Sequence, residues 1–291
     1  MRSMVQSADD LGDRNLFTTE YQGRERRVAE SRHALEGPGY HVTMRLSDDR
    51  VIAPNRRALC LAARVLMSRG RRVTLLAFRV ADTHLHVLVA CSQELARRFA
   101  HYAAVALHRV LRLPVPFEPT RVRSIVDQRH LYSSFRYVLR QDSHHGIASD
   151  PAHDGSSLPD VLGMRVLGTD HAQTVRMTLP RLDRRELAAS LGITFAPADT
   201  LPPRLLPTSA AAAVGLADLK DRSKDAVLAR RAAVHAAAEL LSTSTLSDEL
   251  RTSPRTIQRL REQDVDALVV RAVQLQWRFR ASLLERSLLS P

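Results

Sequence analysis

Two histidines separated by one residue, His84 and His86, lie in a run of β-forming residues that ends at Val89. Such a run favours a strand, and side chains alternate between the two faces of a strand. Both imidazoles are therefore expected on one face, about 7 Å apart along the strand, with Leu85 facing the core on the other. Two imidazoles placed in this way can bind one divalent ion if a third ligand comes from elsewhere.

The candidate for the third ligand is a helix further along the chain. Residues 131–141 are predicted to be helical, and Tyr137 and Gln141 are four residues apart, so they share one helical face. An amide and a phenol would then lie side by side. Tyr132 is a competing phenol, but it is five residues from Tyr137 and has Arg136 rather than an amide four residues later. The pattern therefore favours Tyr137.

Plainer explanations exist for each of these residues. Histidines spaced in this way on a strand are more often ordinary surface or core residues than metal ligands, and a tyrosine on an amphipathic helix usually packs its ring and leaves its hydroxyl in water. The remaining histidines of interest are expected to be ordinary solvated residues, although the adjacent pair at 144 and 145 could contact phosphate or a metal: His41, His130, His144 and His145.

The elements around these residues predict the fold. Strand patterns cover 40–46, 73–78, 84–89 and 120–126, and helix patterns cover 54–68, closed by Gly70 as a C-cap, and 95–110, capped by Ser92. The order strand, helix, strand, strand, helix, strand is typical of a ferredoxin-like split βαβ domain with an antiparallel sheet. The predicted class is therefore α+β.

Composition changes along the chain suggest four parts: an N-terminal segment 1–36, a domain 37–150, a linker with local structure 151–220 and a helical region 221–291. In the last part, Ser253 as N-cap and Pro254 at the first helical position predict the second helix of a helix-turn-helix. The outward-facing residues of that helix are candidates for DNA contacts: Arg255, Thr256, Gln258 and Arg259.

The chain is strongly basic, with a net charge of +12 and a pI near 10.9. Lys220 and Lys224 are the only lysines among 43 basic residues. A coding bias could explain the excess of arginine over lysine but not the positive charge, which indicates a polyanionic partner. Cys60 and Cys91 are expected to be free thiols. No apolar run has the length of a membrane span, so we expect a cytoplasmic protein without a membrane partner.

Four blocks between Tyr40 and Ile147 resemble the single-tyrosine HUH transposases (histidine, hydrophobic, histidine), especially the REP-associated tyrosine transposases. The blocks are Tyr40-His41-Val42-Thr43-Met44-Arg45, the run 77–89, Tyr137-Val138-Leu139-Arg140-Gln141 and Gly146-Ile147. The chain departs from the family where relatives often have Pro-Asn and it has Asp82-Thr83, and where relatives often have proline and it has Asp142.

The resemblance implies a metal-dependent transesterase acting on single-stranded or hairpin DNA. His84, His86 and Gln141 would hold Mg²⁺ or Mn²⁺, and Tyr137 would attack the scissile phosphate to leave a 5′-phosphotyrosine. Arg45 and Arg140 lie in the matching blocks and Arg136 directly precedes one of them; all three are predicted to contact DNA. A homodimer is compatible with this activity but is not required by it. Two alternatives remain at this point: a domesticated regulator that binds DNA without turnover, and a hydrolase in which water attacks the phosphate.

Overall fold

The computed structural model describes residues 37–141, 150, 152–167 and 171–289. This part of the chain combines one four-stranded antiparallel sheet with many helices, so the predicted α+β class is confirmed. Several residues discussed above lie outside the described residues: the segment 1–36 and Asp142, His144, His145, Gly146 and Ile147.

The sheet and its first helices occupy the first half of the chain. In chain order they are β1 Gly39–Arg45, α1 Arg56–Gly70, β2 Thr74–Ala81, β3 His84–Ala90, α2 Gln93–Leu111, β4 Arg121–Ile125 and α3 Gln128–Leu139. The strands are arranged in the order β2-β3-β1-β4, and each neighbouring pair is antiparallel. Strands β1 and β2 therefore run parallel to each other, with β3 between them.

Local sequence signals account for the ends of these helices. The side chains of Asn55, Ser92 and Asp127 accept hydrogen bonds from the first turns of α1, α2 and α3, which is the usual role of an N-cap. Gly70 was predicted as a C-cap, but it is the last helical residue and Arg71 follows it in a right-handed conformation. The reason for a glycine there is packing, since a Cβ on Gly70 would lie 2.5 Å from a methyl carbon of Leu75.

Alternation along the strands creates two separate cores. Tyr40, Val42 and Met44 of β1 pack with α1 and α2 on one face of the sheet. On the other face, Leu88 and Ile125 pack against the apolar side of α3. The two histidines of β3 lie on this second face, because Leu85 belongs to the first core.

The second half of the chain is helical. It contains α4 Leu158–Val161, α5 His171–Thr178, α6 Arg184–Ser190, α7 Leu206–Ala213, α8 Lys224–Ala236, α9 Thr243–Leu250, α10 Pro254–Arg261 and α11 Ala267–Leu289. Trp277 is buried in a core of these helices, whereas Phe279, two residues later, is buried in the core beneath α3. Helix α11 therefore joins the helical core to the sheet.

Ion pairs also fix the second half against the first. Arg64 of α1 bonds Asp225 of α8 at 2.5 Å, and Arg56 bonds Asp154 at 2.7 Å. Cys60 and Cys91 are buried free thiols, as predicted, and burial raises the pKa of each to about 12. Among the helices that the structure describes, none is both long and apolar enough to cross a membrane.

Candidate functional site

The site begins on β3, whose register with β1 places the two histidines. His84 lies opposite Arg45 and His86 lies opposite Thr43, and paired residues of antiparallel strands point to the same face. The two imidazole rings meet edge to face, with centroids 4.8 Å apart. His84 and His86 therefore lie on the same face of the sheet, as their spacing predicted.

The turn before β3 helps to orient His84. Asp82 has a φ of 41°, which proline cannot adopt because its ring fixes φ near −65°. The departure from the Pro-Asn of the resembling family thus has a local structural basis at this turn. The hydroxyl of Thr83 lies 3.2 Å from Nδ1 of His84 and so helps to fix the orientation of its ring.

Helix α3 brings Tyr137 to the histidines. Its apolar side, which includes Leu131, Phe135 and Val138, is buried against the sheet, and Tyr137 lies at the border of that side with 40% of its surface exposed. The ring of Tyr137 lies edge-on to His86, with the ring centroids 5.9 Å apart. A half-exposed phenol beside an imidazole pair is open to a substrate that approaches from solvent.

Helix α3 ends at Leu139 and Arg140 caps it, so the prediction that Gln141 lies on the same helix as Tyr137 was wrong. Gln141 follows the cap and is almost completely buried. Its amide nitrogen donates to the carbonyl of Tyr137 at 3.3 Å, which fixes the amide group. No donor in the described part of the chain reaches the Gln141 Oε1 atom. A buried amide oxygen without a donor costs about 1–3 kcal/mol unless a partner arrives, so this atom suits a metal ligand or a substrate donor.

His41 is the residue of the site that sequence reasoning missed. It was expected to be solvated, but its Nε2 lies 2.9 Å from Nδ1 of His86, and its ring is 5.9 Å from that of Tyr137. Burial, together with the charges of Arg123 and His130, lowers the pKa of His41 to about 4. His41 is therefore neutral at pH 7. The signal was available in the alternation of β1, which places His41 and Thr43 on the same face.

Arg79 supports the site from β2. It lies opposite His86 in the β2–β3 register and is buried with 1% of its surface exposed. Its guanidinium donates to the carbonyl of Leu139 at 3.4 Å and to that of Asp150 at 3.3 Å. A buried arginine thus holds the end of the helix that carries Tyr137.

Comparison with known proteins adds no assignment to this geometry. No family model, no curated protein and no solved structure matches the chain. The likeness to single-tyrosine HUH transposases therefore rests on the sequence motifs alone.

The imidazoles of His84 and His86 would need the amide oxygen of Gln141 as a third ligand to hold a divalent ion. In the described ranges, no group of three or more His, Cys, Asp or Glu side chains could hold a metal ion. Two imidazoles and one carboxamide oxygen suit Mn²⁺, and Mg²⁺ becomes usable when phosphate oxygens and water complete its shell. The acceptor atom of Gln141, which no described donor reaches, is the oxygen that would complete such a donor set.

The three arginines near the site that are predicted to contact DNA differ in the contacts of their side chains within the protein. Arg45 forms an ion pair with Asp49, and Arg140 donates to the carbonyl of Ser190 at 2.7 Å. Arg136 is exposed next to Tyr137. All three are exposed, and Arg136 is the one directly next to Tyr137 in the chain.

The remaining candidates lie on α10, in the helical half of the chain. Arg255, Gln258 and Arg259 are exposed, whereas Ile257 and Leu260 of the same helix are buried. Thr256 is half-buried, and its hydroxyl lies 3.0 Å from that of Ser253. Ser253 and Pro254 hold the N-cap and first helical positions, as predicted. The buried residues of α10 belong to the helical core and not to the core beneath α3.

Proposed function

We propose that this protein is a metal-dependent transesterase that nicks and rejoins single-stranded DNA through Tyr137. The observation that carries the proposal is the position of the Tyr137 ring, 5.9 Å from the ring of His86 and 5.9 Å from that of His41. Tyr137 is 51 residues from His86 and 96 residues from His41 in the sequence. Their meeting on one face of the sheet is what such a reaction requires.

The proposal includes a metal site and its ligands. His84 and His86, with the amide oxygen of Gln141, would hold Mg²⁺ or Mn²⁺. A bound ion of this kind polarises a phosphate oxygen and so makes the phosphorus open to attack by a weak nucleophile. A phenol is such a nucleophile, because its usual pKa is about 10.

In the first step, the hydroxyl oxygen of Tyr137 attacks the scissile phosphorus and loses its proton. The bond from phosphorus to the 3′-oxygen breaks, and that oxygen takes up a proton to become a free 3′-hydroxyl. The other strand end remains on the protein as a 5′-phosphotyrosine. Attack by a 3′-hydroxyl then reverses the chemistry, and no nucleotide cofactor is needed because the covalent link keeps the phosphodiester energy.

The surrounding architecture supports this proposal. The element order and the strand order β2-β3-β1-β4 agree with a ferredoxin-like split βαβ arrangement. Helices α9 and α10, separated by residues 251–253, agree with a helix-turn-helix that would read duplex DNA next to the hairpin. The net charge of +12 favours a nucleic acid partner.

The decisive experiment is to trap the covalent intermediate. The protein is incubated with Mn²⁺ and labelled single strands that carry a hairpin, and the products are separated under denaturing conditions. We expect a labelled adduct that is lost in Tyr137→Phe. The matched control is Tyr132→Phe, because the hydroxyl of Tyr132 accepts a hydrogen bond from the backbone of Arg181 at 2.6 Å and is occupied there.

The other outcomes favour the alternatives. Cleavage without an adduct would make water the nucleophile and leave Tyr137 as a packing residue. Binding without cleavage would indicate a regulator that keeps the fold without turnover. An adduct that persists in Tyr137→Phe would contradict the assignment of the nucleophile.

A further inference from the structure

The sheet has one covered edge and one open edge. The outer edge of β2 is covered by residues 155–157, since Val80 donates to Gly155 at 2.9 Å and Ser157 donates to Phe78 at 3.0 Å. Strand β4 forms the opposite edge, and no strand in the described part of the chain pairs with its outer side. Among the described strands, the open edge of the sheet is therefore the outer side of β4.

Two arginines of β4 point to the same face as the candidate site. Arg121 lies opposite Thr43, and Arg123 lies opposite His41. Thr43 in turn lies opposite His86, so a single row across the sheet runs from Arg121 through Thr43 to His86. Neighbouring strands are about 4.8 Å apart, which places the backbone of Arg121 about 10 Å from that of His86.

Both guanidinium groups are available to a ligand. Arg121 and Arg123 are exposed, and neither forms an ion pair with another residue that the structure describes. They are two residues apart on the strand, so their backbones are separated by about 7 Å. Two unpaired planar donors with this spacing are suited to successive anionic groups of one extended polymer.

A second copy of this chain is a poor occupant of this edge. Pairing β4 with another β4 would bring arginines of like charge together, and charged side chains on an edge strand oppose this kind of pairing. A nucleic acid strand fits the charge, and its course along the row would bring the next phosphate to His86 and Tyr137.

We infer that Arg121 and Arg123 bind the phosphates next to the scissile phosphate, so that a single DNA strand crosses the sheet from the β4 edge to Tyr137. This inference depends on the proposed function for the identity of the central phosphate. It assigns the two arginines to substrate positioning, a role that the sequence motifs did not indicate. Single strands are bound in this way by cationic tracks along their backbone.

The test measures equilibrium binding of a hairpin-bearing single strand in the Tyr137→Phe background, where no adduct forms. The track variant is Arg121→Gln with Arg123→Gln. The matched control is Arg69→Gln with Arg71→Gln, which removes the same charge at two exposed positions at the end of α1, a helix on the opposite face of the sheet. Each protein is titrated at several salt concentrations and with DNA carrying neutral methylphosphonates at single positions.

We expect the track variant to bind about tenfold or more weakly than the parent, and the slope of log affinity against log salt to fall by about 0.7 for each lost phosphate contact. Neutralising the phosphates next to the scissile position should weaken DNA binding by the parent and by the control, but not by the track variant. Equal affinities of the track variant and the control, or phosphate effects that persist in the track variant, would overturn the inference. Tighter binding of a fully paired duplex through the same arginines would overturn the single-strand assignment.

The result is separable from that of the proposed function. Suppose that the protein with Tyr137 intact forms an adduct and that the track variant binds DNA as well as the parent does. The transesterase activity would then be supported, and the role of Arg121 and Arg123 in binding the strand would be rejected. If the track variant loses DNA binding and no protein forms an adduct, Arg121 and Arg123 would still be a DNA-binding site, and the proposed transesterification would be rejected.

Discussion

Nε2 of His41 lies 2.9 Å from Nδ1 of His86, and the two rings are stacked with centroids 5.1 Å apart. Both imidazoles therefore share one proton position between these nitrogens. When the proton is on Nδ1 of His86, Nε2 of His86 carries the lone pair that a metal ion needs, and His41 is the acceptor. A second group that fixes the tautomer of a metal-binding histidine is a common feature of such sites.

Replacing His41 with alanine is expected to weaken Mn²⁺ binding by about 10- to 100-fold, the usual effect of losing such an orienting group. The reason is that His86 would lose the acceptor that fixes its tautomer and ring orientation. The measurement is calorimetric titration of Mn²⁺ into the Tyr137→Phe protein, with and without the His41 change, so that binding is read independently of turnover.

Two further variants control this measurement. His41→Gln keeps an acceptor oxygen near Nδ1 of His86 and should recover part of the affinity. His101→Ala removes an exposed histidine of α2, on the opposite face of the sheet, and should leave the affinity unchanged. Equal Mn²⁺ affinities for the parent and His41→Ala would show that His41 does not orient a ligand.

The lowered pKa of His41 predicts a loss of stability in acid. The folded protein holds this pKa at about 4, against an ordinary value of 6.5, through burial and the charges of Arg123 and His130. Between these values the unfolded chain binds a proton that the folded chain does not, so the free energy of unfolding falls as the pH falls. The contribution of neutral His41 to the free energy of unfolding, about 3 kcal/mol, is fully present above pH 6.5. It is lost as the pH falls from 6.5 to about 4.

Urea unfolding of the parent and of His41→Gln, from pH 7 to pH 4.5 in the presence of a chelator, checks this prediction. The parent should lose more stability on acidification than the variant. Burial also lowers the pKa values of His153 and His171, but both remain in the two proteins and cancel in the comparison. Identical pH dependence in both proteins would mean that His41 is as easily protonated in the fold as in water.

Local sequence signals were sufficient for most elements of the sheet domain. The caps Ser92 and Ser253 lie where they were expected, and the strand patterns lie within a few residues of the observed strands. The shared face of His84 and His86 follows from the period of a strand. The position of Gln141 does not follow from the period of a helix, because α3 ends at Leu139. Short-range periodicity therefore predicted the histidine pair and the helix of Tyr137, but not the end of that helix before Gln141.

What the sequence left out depends on strand register. His41 reaches His86 because Thr43, two residues later, is paired with His86, and Arg121 joins the same row through Thr43. Such pairings join residues more than 40 positions apart, and a shift of one residue would turn each side chain to the other face. The ion pair of Arg64 with Asp225 joins residues even further apart in sequence and was not predicted.

The buried ion pair of Arg165 with Asp160 is expected to be essential for stability. Both side chains are only 1% exposed, and Arg165 also donates to the carbonyl of Asp154 at 2.6 Å. Asp160→Asn would leave a buried guanidinium without its counter-charge, and breaking a buried pair in this way costs about 3–5 kcal/mol. The loss should appear as a lower midpoint of urea unfolding.

The matched control for this change is Asp183→Asn. Asp183 is an exposed N-cap of α6, and asparagine caps helices about as well as aspartate does. Its unfolding midpoint should therefore stay close to that of the parent. A midpoint for Asp160→Asn as high as that of the control would mean that Arg165 finds another partner in the variant.

Exposed residues of α10 are expected to contribute to target binding without contributing to the chemistry. Removal of residues 221–291 would be a simple way to test their role, but it would also remove Phe279 from the core beneath α3. Point changes avoid this problem, because Arg255 and Arg259 are exposed on a helix held by Ile257 and Leu260. Arg255→Gln with Arg259→Gln should weaken binding to a hairpin target with a duplex stem by about tenfold, as expected for the loss of one or two base or phosphate contacts.

The same double variant should form the phosphotyrosine adduct at the parent's rate on a short single strand that lacks the stem, since Tyr137 and the histidines belong to the sheet domain. Binding is measured by fluorescence anisotropy and adduct formation by denaturing electrophoresis, with Arg69→Gln and Arg71→Gln as the charge-matched control. Loss of the adduct on the short strand would place α10 in the catalytic step. Unchanged binding to the stem-bearing target would remove α10 from DNA recognition and leave the sheet face, with Arg121 and Arg123, as the DNA surface of this protein.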